Sequence, residues 1–161
     1  MNRRILVVDD EQGIRAALGQ LLEYEGYEVR TASNAVDGIA EYQKWKPNLV
    51  FLDVKMAGMD GMEALKKIRE IDPVATVVMI SGHATIRTAV EATQLGAYEI
   101  LEKPLDTDRI LVMLRNVFEC VRFRIGSALA LTIPHRGSGD VRPAFRTWRG
   151  HHSYRPAPLL C

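Results

Sequence analysis

Two hydrophobic rhythms alternate along the first 121 residues. Ile5-Leu6-Val7-Val8, Leu49-Val50-Phe51-Leu52 and Thr76-Val77-Val78-Met79-Ile80 are short apolar runs, rich in β-branched residues, that read as strands buried on both faces. Tyr27 to Thr31 alternates as a strand does, and Tyr98 to Leu101 reads as a fifth. Between them the spacing changes to that of helices. Ile14, Ala17, Leu18, Leu21 and Leu22 predict one inward stripe; Val36, Ile39 and Ala40 a second; Leu65, Ile68 and Ile71 a third. Ile86, Ala89, Val90 and Thr93 predict a fourth, and Ile110, Met113, Leu114, Val117 and Val121 a fifth. The punctuation agrees: Asn34, Asp60 and Asp106 stand where helix caps belong, and Gly26, Pro47, Pro73 and Gly96 where helices stop.

Strict alternation of buried strands and helices predicts an α/β fold with a parallel sheet and helices on both faces, because right-handed crossovers return over a sheet face. Ligands in such folds bind beyond the carboxyl ends of the strands. Strand one delivers Asp9, Asp10 and Glu11 to that edge, strand three Asp53, strand four Ser81, and strand five Glu102 and Lys103, whereas strand two offers only Thr31 and Ala32. Each residue alone has an ordinary explanation as a helix cap, a turn residue or a surface charge. Their convergence on one edge does not.

Two carboxylates about 4 Å apart at an effective dielectric of ~20 repel by roughly 4 kcal/mol, so such a cluster calls for a cation. An all-oxygen ligand set with no neighbouring His or Cys selects a hard ion, and a few carboxylates completed by water and phosphate suit Mg²⁺. The expected chemistry is phosphoryl transfer to the Asp53 carboxylate, with the Ser81 hydroxyl and the Lys103 ammonium each taking a phosphoryl oxygen.

Composition divides the chain. Hydrophobic residues make up 47% and charged residues 25% of the 161 positions, ordinary for a globular protein. Residues 1–120 hold 14 Lys and Arg against 19 Asp and Glu, net −5, while residues 121–161 hold seven Arg against Asp140 alone, net +6. Four prolines and three of the four histidines also fall after residue 130. A boundary is therefore expected after residue 121, with 122–161 a basic, disordered or degenerate tail rather than an arm for nucleic acid. The start of the chain lacks the apolar stretch of an export signal, and no run approaches a membrane span, so a cytoplasmic protein is expected. Cys120 and Cys161 form neither a CxxC pair nor a metal quartet.

Ile5 to Glu11, followed by Leu52-Asp53, Met59-Asp60-Gly61, Ile80-Ser81-Gly82-His83 and Glu102-Lys103-Pro104 at these intervals, resembles the response-regulator receiver family over about residues 3–120. Ile80 to Ala84 and Leu95 to Tyr98 are most similar to receivers of NtrC-type transcriptional regulators. The resemblance implies a flavodoxin-like (βα)5 three-layer sandwich, with a five-stranded parallel sheet of order 2-1-3-4-5. It implies that Asp53 is the phosphoacceptor, that Asp9, Asp10, Asp53 and the backbone carbonyl of Lys55 hold Mg²⁺ with Asp10 a direct ligand, and that Lys103 pairs with the phosphoryl group and precedes a cis bond to Pro104. Ser81 and position 100 would form the switch. The implied partner is a sensor histidine kinase, and the implied output face, which could also support a homodimer, is made by the fourth helix, fifth strand and fifth helix. No turnover of an external substrate is expected.

Three residues depart from the family pattern: Ala57 stands where proline is usual, Lys55 lies two residues past the acceptor, and Ile100 replaces the usual switch aromatic. Competing readings have weaker support. A dinucleotide-binding enzyme needs glycines after strand one, and an aspartyl phosphohydrolase an Asp-x-Asp there. A pseudo-receiver interaction module would not need the full acceptor set.

Overall fold

The computed structural model describes the backbone of residues 3–130 and the side chains of residues 3–119. The tail expected from residue 122 lies outside the described residues beyond 130, as does Cys161. The described residues fall into two units, divided between Leu105 and Asp106.

The first unit contains β1 (Arg4–Val8), α1 (Gln12–Tyr24), β2 (Glu28–Ala32), α2 (Ala35–Trp45), β3 (Leu49–Asp53), α3 (Gly61–Ile71), β4 (Val77–Ser81), α4 (Ile86–Gln94) and β5 (Glu99–Glu102). All strand pairs are parallel, and the order is β2-β1-β3-β4-β5. This is the flavodoxin-like sheet the sequence predicted. The unbroken apolar runs account for its centre: β3 and β4 are buried along their whole length, as is β1 after Arg4.

Alternation along the strands sends Leu6, Val8, Val50, Leu52, Val77 and Met79 into one core cluster with Tyr42 and Trp45 of α2, Leu65 and Ile68 of α3, and Ala92 of α4. Helix α1 meets β1 and β2, and its Leu18 and Leu22 are buried outside that cluster. The helix starts are built as their residues suggest. Asn34 Oδ1 accepts from Asp37 N–H at 2.8 Å, Asp60 Oδ1 from Glu63 N–H at 2.8 Å, and Thr85 Oγ1 from Thr88 N–H at 3.1 Å.

Two predicted stripes are only partly inward, Ile39 of α2 packing against the core cluster. In α2 the buried residues are Ala35, Gly38, Tyr42 and Trp45, while Val36 is exposed. Gly38 explains the choice, since a Cβ there would lie 2.8 Å from Val8 Cγ1, so only glycine lets the helix sit this close to β1. In α4 only Ala92 is buried, and Ile86 and Val90 face solvent. In α2 the inward face pairs small residues, Ala35 and Gly38, with the large rings of Tyr42 and Trp45, and in α4 it is the small Ala92, while Val36, Ile86 and Val90 point outward.

The second unit begins with α5 (Thr107–Ala130), where Asp106 Oδ1 accepts from the amides of Asp108 and Arg109. Ile110, Met113, Leu114 and Val117 are buried, as their spacing predicted. The helix runs past the boundary expected after residue 121, and residues 122–130 continue it. No proline interrupts the chain between Thr107 and Ala130, the next being Pro134.

Candidate phosphoryl-transfer site

Asp9, Asp10, Asp53, Ser81 and Lys103 meet at the carboxyl edge of the sheet, where β1, β3, β4 and β5 end side by side. Each of Asp9, Asp10 and Asp53 places a carboxylate oxygen within 4.8 Å of the others. Asp9 and Asp53 are buried, at 0% and 3% exposure, and Asp10 is exposed. Asp9 is held from both ends. Its Oδ1 accepts from Glu11 N–H at 2.8 Å, and its carbonyl accepts from Arg15 Nη1 at 2.7 Å.

Asp53 closes β3, and the loop after it is clamped. Val54 N–H donates to the Ile80 carbonyl and Gly61 N–H to the Val54 carbonyl, each at 2.8 Å. Gly61 has no room for a side chain: a Cβ would lie 2.0 Å from the Asp53 carbonyl oxygen. The start of α3 is thus packed directly on the backbone of the acceptor.

Lys103 faces three carboxylates. Its Nζ is 2.6 Å from Glu11 Oε1, 3.2 Å from Asp9 Oδ2 and 3.6 Å from Asp53 Oδ1. The Lys103–Pro104 peptide bond is cis. Burial and the Asp9 and Asp10 charges push Asp53 up to about 6, against the Lys103 ammonium and a backbone hydrogen bond from Lys55. Burial alone would lower Lys103, but the carboxylates of Glu11, Asp9 and Asp53 outweigh it and raise it.

Ser81 is 3% exposed, and its Oγ accepts from His83 N–H at 3.1 Å, turned to its own loop. Glu11, Asp53, Lys55, Gly82, His83 and Lys103 line an open cleft of about 370 Å³ over the acceptor. Ile100 lies on β5, partly buried against the core cluster and away from the cleft lining. Glu11 and His83 were not assigned a role from sequence. Glu11 directly follows the acidic pair and His83 lies within the Ser81 motif, so position in the strand-end loops was the available signal.

The residues present fit a divalent cation. Asp9 Oδ2 is fully enclosed beside the Lys103 ammonium at 3.2 Å, and that single positive charge faces three clustered carboxylates, an excess of negative charge that a cation would balance. The donor set is all oxygen, as Mg²⁺ prefers.

A family model described as the response regulator receiver domain matches residues 5–115. The chain belongs to that family, the receivers of two-component response regulators. It is similar to the nitrogen assimilation regulatory protein NtrX of Azorhizobium caulinodans, 43% identical over 139 residues, which cover 84% of this chain and 31% of the relative. The chain therefore spans less than a third of that relative's length. It is also similar to sporulation initiation phosphotransferase F of Bacillus subtilis, 38% identical over 68% of this chain and 89% of the relative. Among solved structures, a CheX-CheY-BeF3-Mg²⁺ complex from Borrelia burgdorferi contains a chain matching with a TM-score of 0.69 at 30% identity, over 71% of this chain and 88% of that one. Among the described residues, no helix is long and apolar enough to cross a membrane.

Proposed function

We propose that the chain accepts a phosphoryl group from the phosphohistidine of a sensor kinase onto Asp53. The carrying observation is a buried carboxylate flanked by Asp9 and Asp10, with the Lys103 ammonium 3.6 Å from its Oδ1. At neutral pH a group titrating near 6 is mostly ionised, so Asp53 is available as the nucleophile. A carboxylate oxygen attacks phosphorus, the P–N bond to the histidine breaks, and the departing imidazole keeps the electron pair. Lys103 holds one phosphoryl oxygen, and the Ser81 hydroxyl, which only accepts from His83 here and retains its own proton to donate, takes another.

Asp9, Asp10, Asp53 and the Lys55 carbonyl would hold Mg²⁺, which when bound supplies neutralising charge to the carboxylates and to the phosphoryl oxygens. The BeF3 and Mg²⁺ of the Borrelia CheX-CheY complex support this reading. Lys55, lining the cleft mouth, would influence water's access to the acyl phosphate.

The protein turns over no external substrate in this reading. Output would run through the surface of α4 and β5, in transcriptional control, and the same surface could pair two copies. Ile86 and Val90 of α4, 86% and 49% exposed, favour that use of α4.

Incubation with acetyl phosphate, with and without Mg²⁺, tests the proposal. Mg²⁺-dependent accumulation of one phosphoryl group on Asp53, located by mass spectrometry, is expected. Continuous phosphate release without accumulation would indicate a phosphohydrolase, and no modification a pseudo-receiver.

A further inference from the structure

In the unmodified protein the Lys103 ammonium is held most closely by a residue that phosphoryl transfer does not require. Its contact with Glu11 Oε1, at 2.6 Å, is shorter than those with Asp9 and Asp53. Glu11 occupies the N-cap of α1, where a side chain ordinarily bonds the free amides of the first turn, yet it makes no such bond. Its carboxylate instead reaches a residue 92 positions away. The backbone is fixed for that reach, since Glu11 N–H donates to Asp9 Oδ1 and the Glu11 carbonyl accepts from Arg15 N–H at 3.2 Å.

The two partners differ in freedom. The Glu11 side chain is 61% exposed and that of Lys103 15%. Glu11 can return to water at little cost, whereas Lys103 stays in the cleft beside Asp9 and Asp53. An exposed ion pair is also weak enough for a phosphoryl dianion to displace.

We propose that Glu11 is a positioning residue that takes the place on Lys103 meant for the phosphoryl oxygens, a resident competitor that sets how readily the site accepts and keeps a phosphoryl group. The proposal rests on the acceptor role of Asp53 and adds to it a second anion for the same lysine.

The test is a fluoroberyllate titration of the full chain at saturating Mg²⁺, read by NMR, for the parent, Glu11→Gln, Glu11→Asp and Glu102→Gln. Glu11→Gln removes the charge but keeps the length, and Glu11→Asp keeps the charge but shortens the reach. Glu102→Gln removes the same charge one residue from Lys103. Both Glu11 variants should bind fluoroberyllate roughly three- to fivefold more tightly, the scale of an exposed ion pair, and Glu102→Gln should stay near the parent. Thermal midpoints without fluoroberyllate should stay close to the parent in all three, which a structural role for Glu11 would not allow. Unchanged affinity in Glu11→Asp, or equal tightening by Glu102→Gln, would show a bulk charge effect and overturn the proposal. A parent that binds no fluoroberyllate would sink the acceptor assignment itself, whereas a parent that binds and Glu11 variants that match it would sink only the competitor.

Discussion

The centre of the sheet and its β5 edge contribute to one site with very different constraint. β3 and β4 are buried at every position, and Asp53 and Ser81 end them as continuations of the core. β5 is half-buried at Glu99 and Ile100, enclosed only at Leu101 and exposed at Glu102, and Lys103 extends from it as a long flexible arm. The acceptor is thus fixed by packing that cannot shift without disturbing the core, whereas the residue that answers its charge is placed by ion pairs that can be exchanged. Rigid centre and adjustable edge suit a domain that must hold its reacting atom still while changing shape around it.

Asp53→Asn attacks the fixed side most directly. Phosphorylation should be abolished while the fold persists, as mass spectrometry after acetyl phosphate treatment would show. The same variant should be more stable than the parent at pH 7. Asp53 titrates near 6 in the folded chain against 3.8 ordinarily, so folding disfavours its ionised form. That penalty is absent below about pH 4, grows as pH rises through 6, and has an upper limit of about 3 kcal/mol, reduced in the variant by the partner Lys103 loses. Denaturation midpoints at pH 4 and pH 7 should diverge accordingly; a gap that does not grow with pH would contradict the cause assigned.

Gly61→Ala tests whether the fixity of the centre reaches the backbone. With the added methyl 2.0 Å from the Asp53 carbonyl, either α3 or the acceptor must move, at a cost of about 3 kcal/mol in urea denaturation, together with slower phosphorylation. Full activity with normal stability would mean that the close packing is not required.

A change remote from both regions calibrates the two. Tyr42 Oη donates to Asp72 Oδ2 at 2.8 Å, tying α2 to the end of α3, and burial with the Asp72 carboxylate raises the phenol well above its usual value. Tyr42→Phe should cost about 1 kcal/mol and leave phosphorylation unchanged.

Ile100→Tyr probes the adjustable side and should move stability least. A β-branched residue has few rotamers and sweeps little surface, so coupling to the output face should be weak in the parent. The substitution should enlarge phosphorylation-dependent chemical-shift changes at Tyr98 and along α4. Large changes in the parent that the tyrosine does not increase would refute a role for the missing aromatic.

The sheet order followed from the family resemblance, whereas the helix caps and the strand ends that carry Asp9, Asp53, Ser81 and Lys103 were readable from the residue pattern, because strands and helices alternate without a break and β1, β3 and β4 are unbroken apolar runs. Three features were not. The predicted stripes of α2 and α4 were only partly inward: Val36, Ile86 and Val90 are large, apolar and correctly spaced yet exposed, while burial goes to Gly38, Tyr42 and Trp45 in α2 and to Ala92 in α4. The Glu11–Lys103 pair joins side chains from opposite ends of the domain and leaves no local periodic trace. The reach of α5 to Ala130 runs through a segment whose basic composition resembles a tail more than a helix.

One main-chain bond carries a kinematic consequence. Lys103 N–H donates to the Ser81 carbonyl at 2.8 Å, so the two residues that would answer a phosphoryl group are hinged at a common pivot. Upstream of the pivot, Val77 to Ser81 is wedged between β3 and β5 and cannot slide. Downstream, His83, Thr85 and Ile86 are exposed. Any displacement that starts at Ser81 therefore has a single direction of travel, outward along the loop into the first turn of α4, as a door swings only on the side away from its frame.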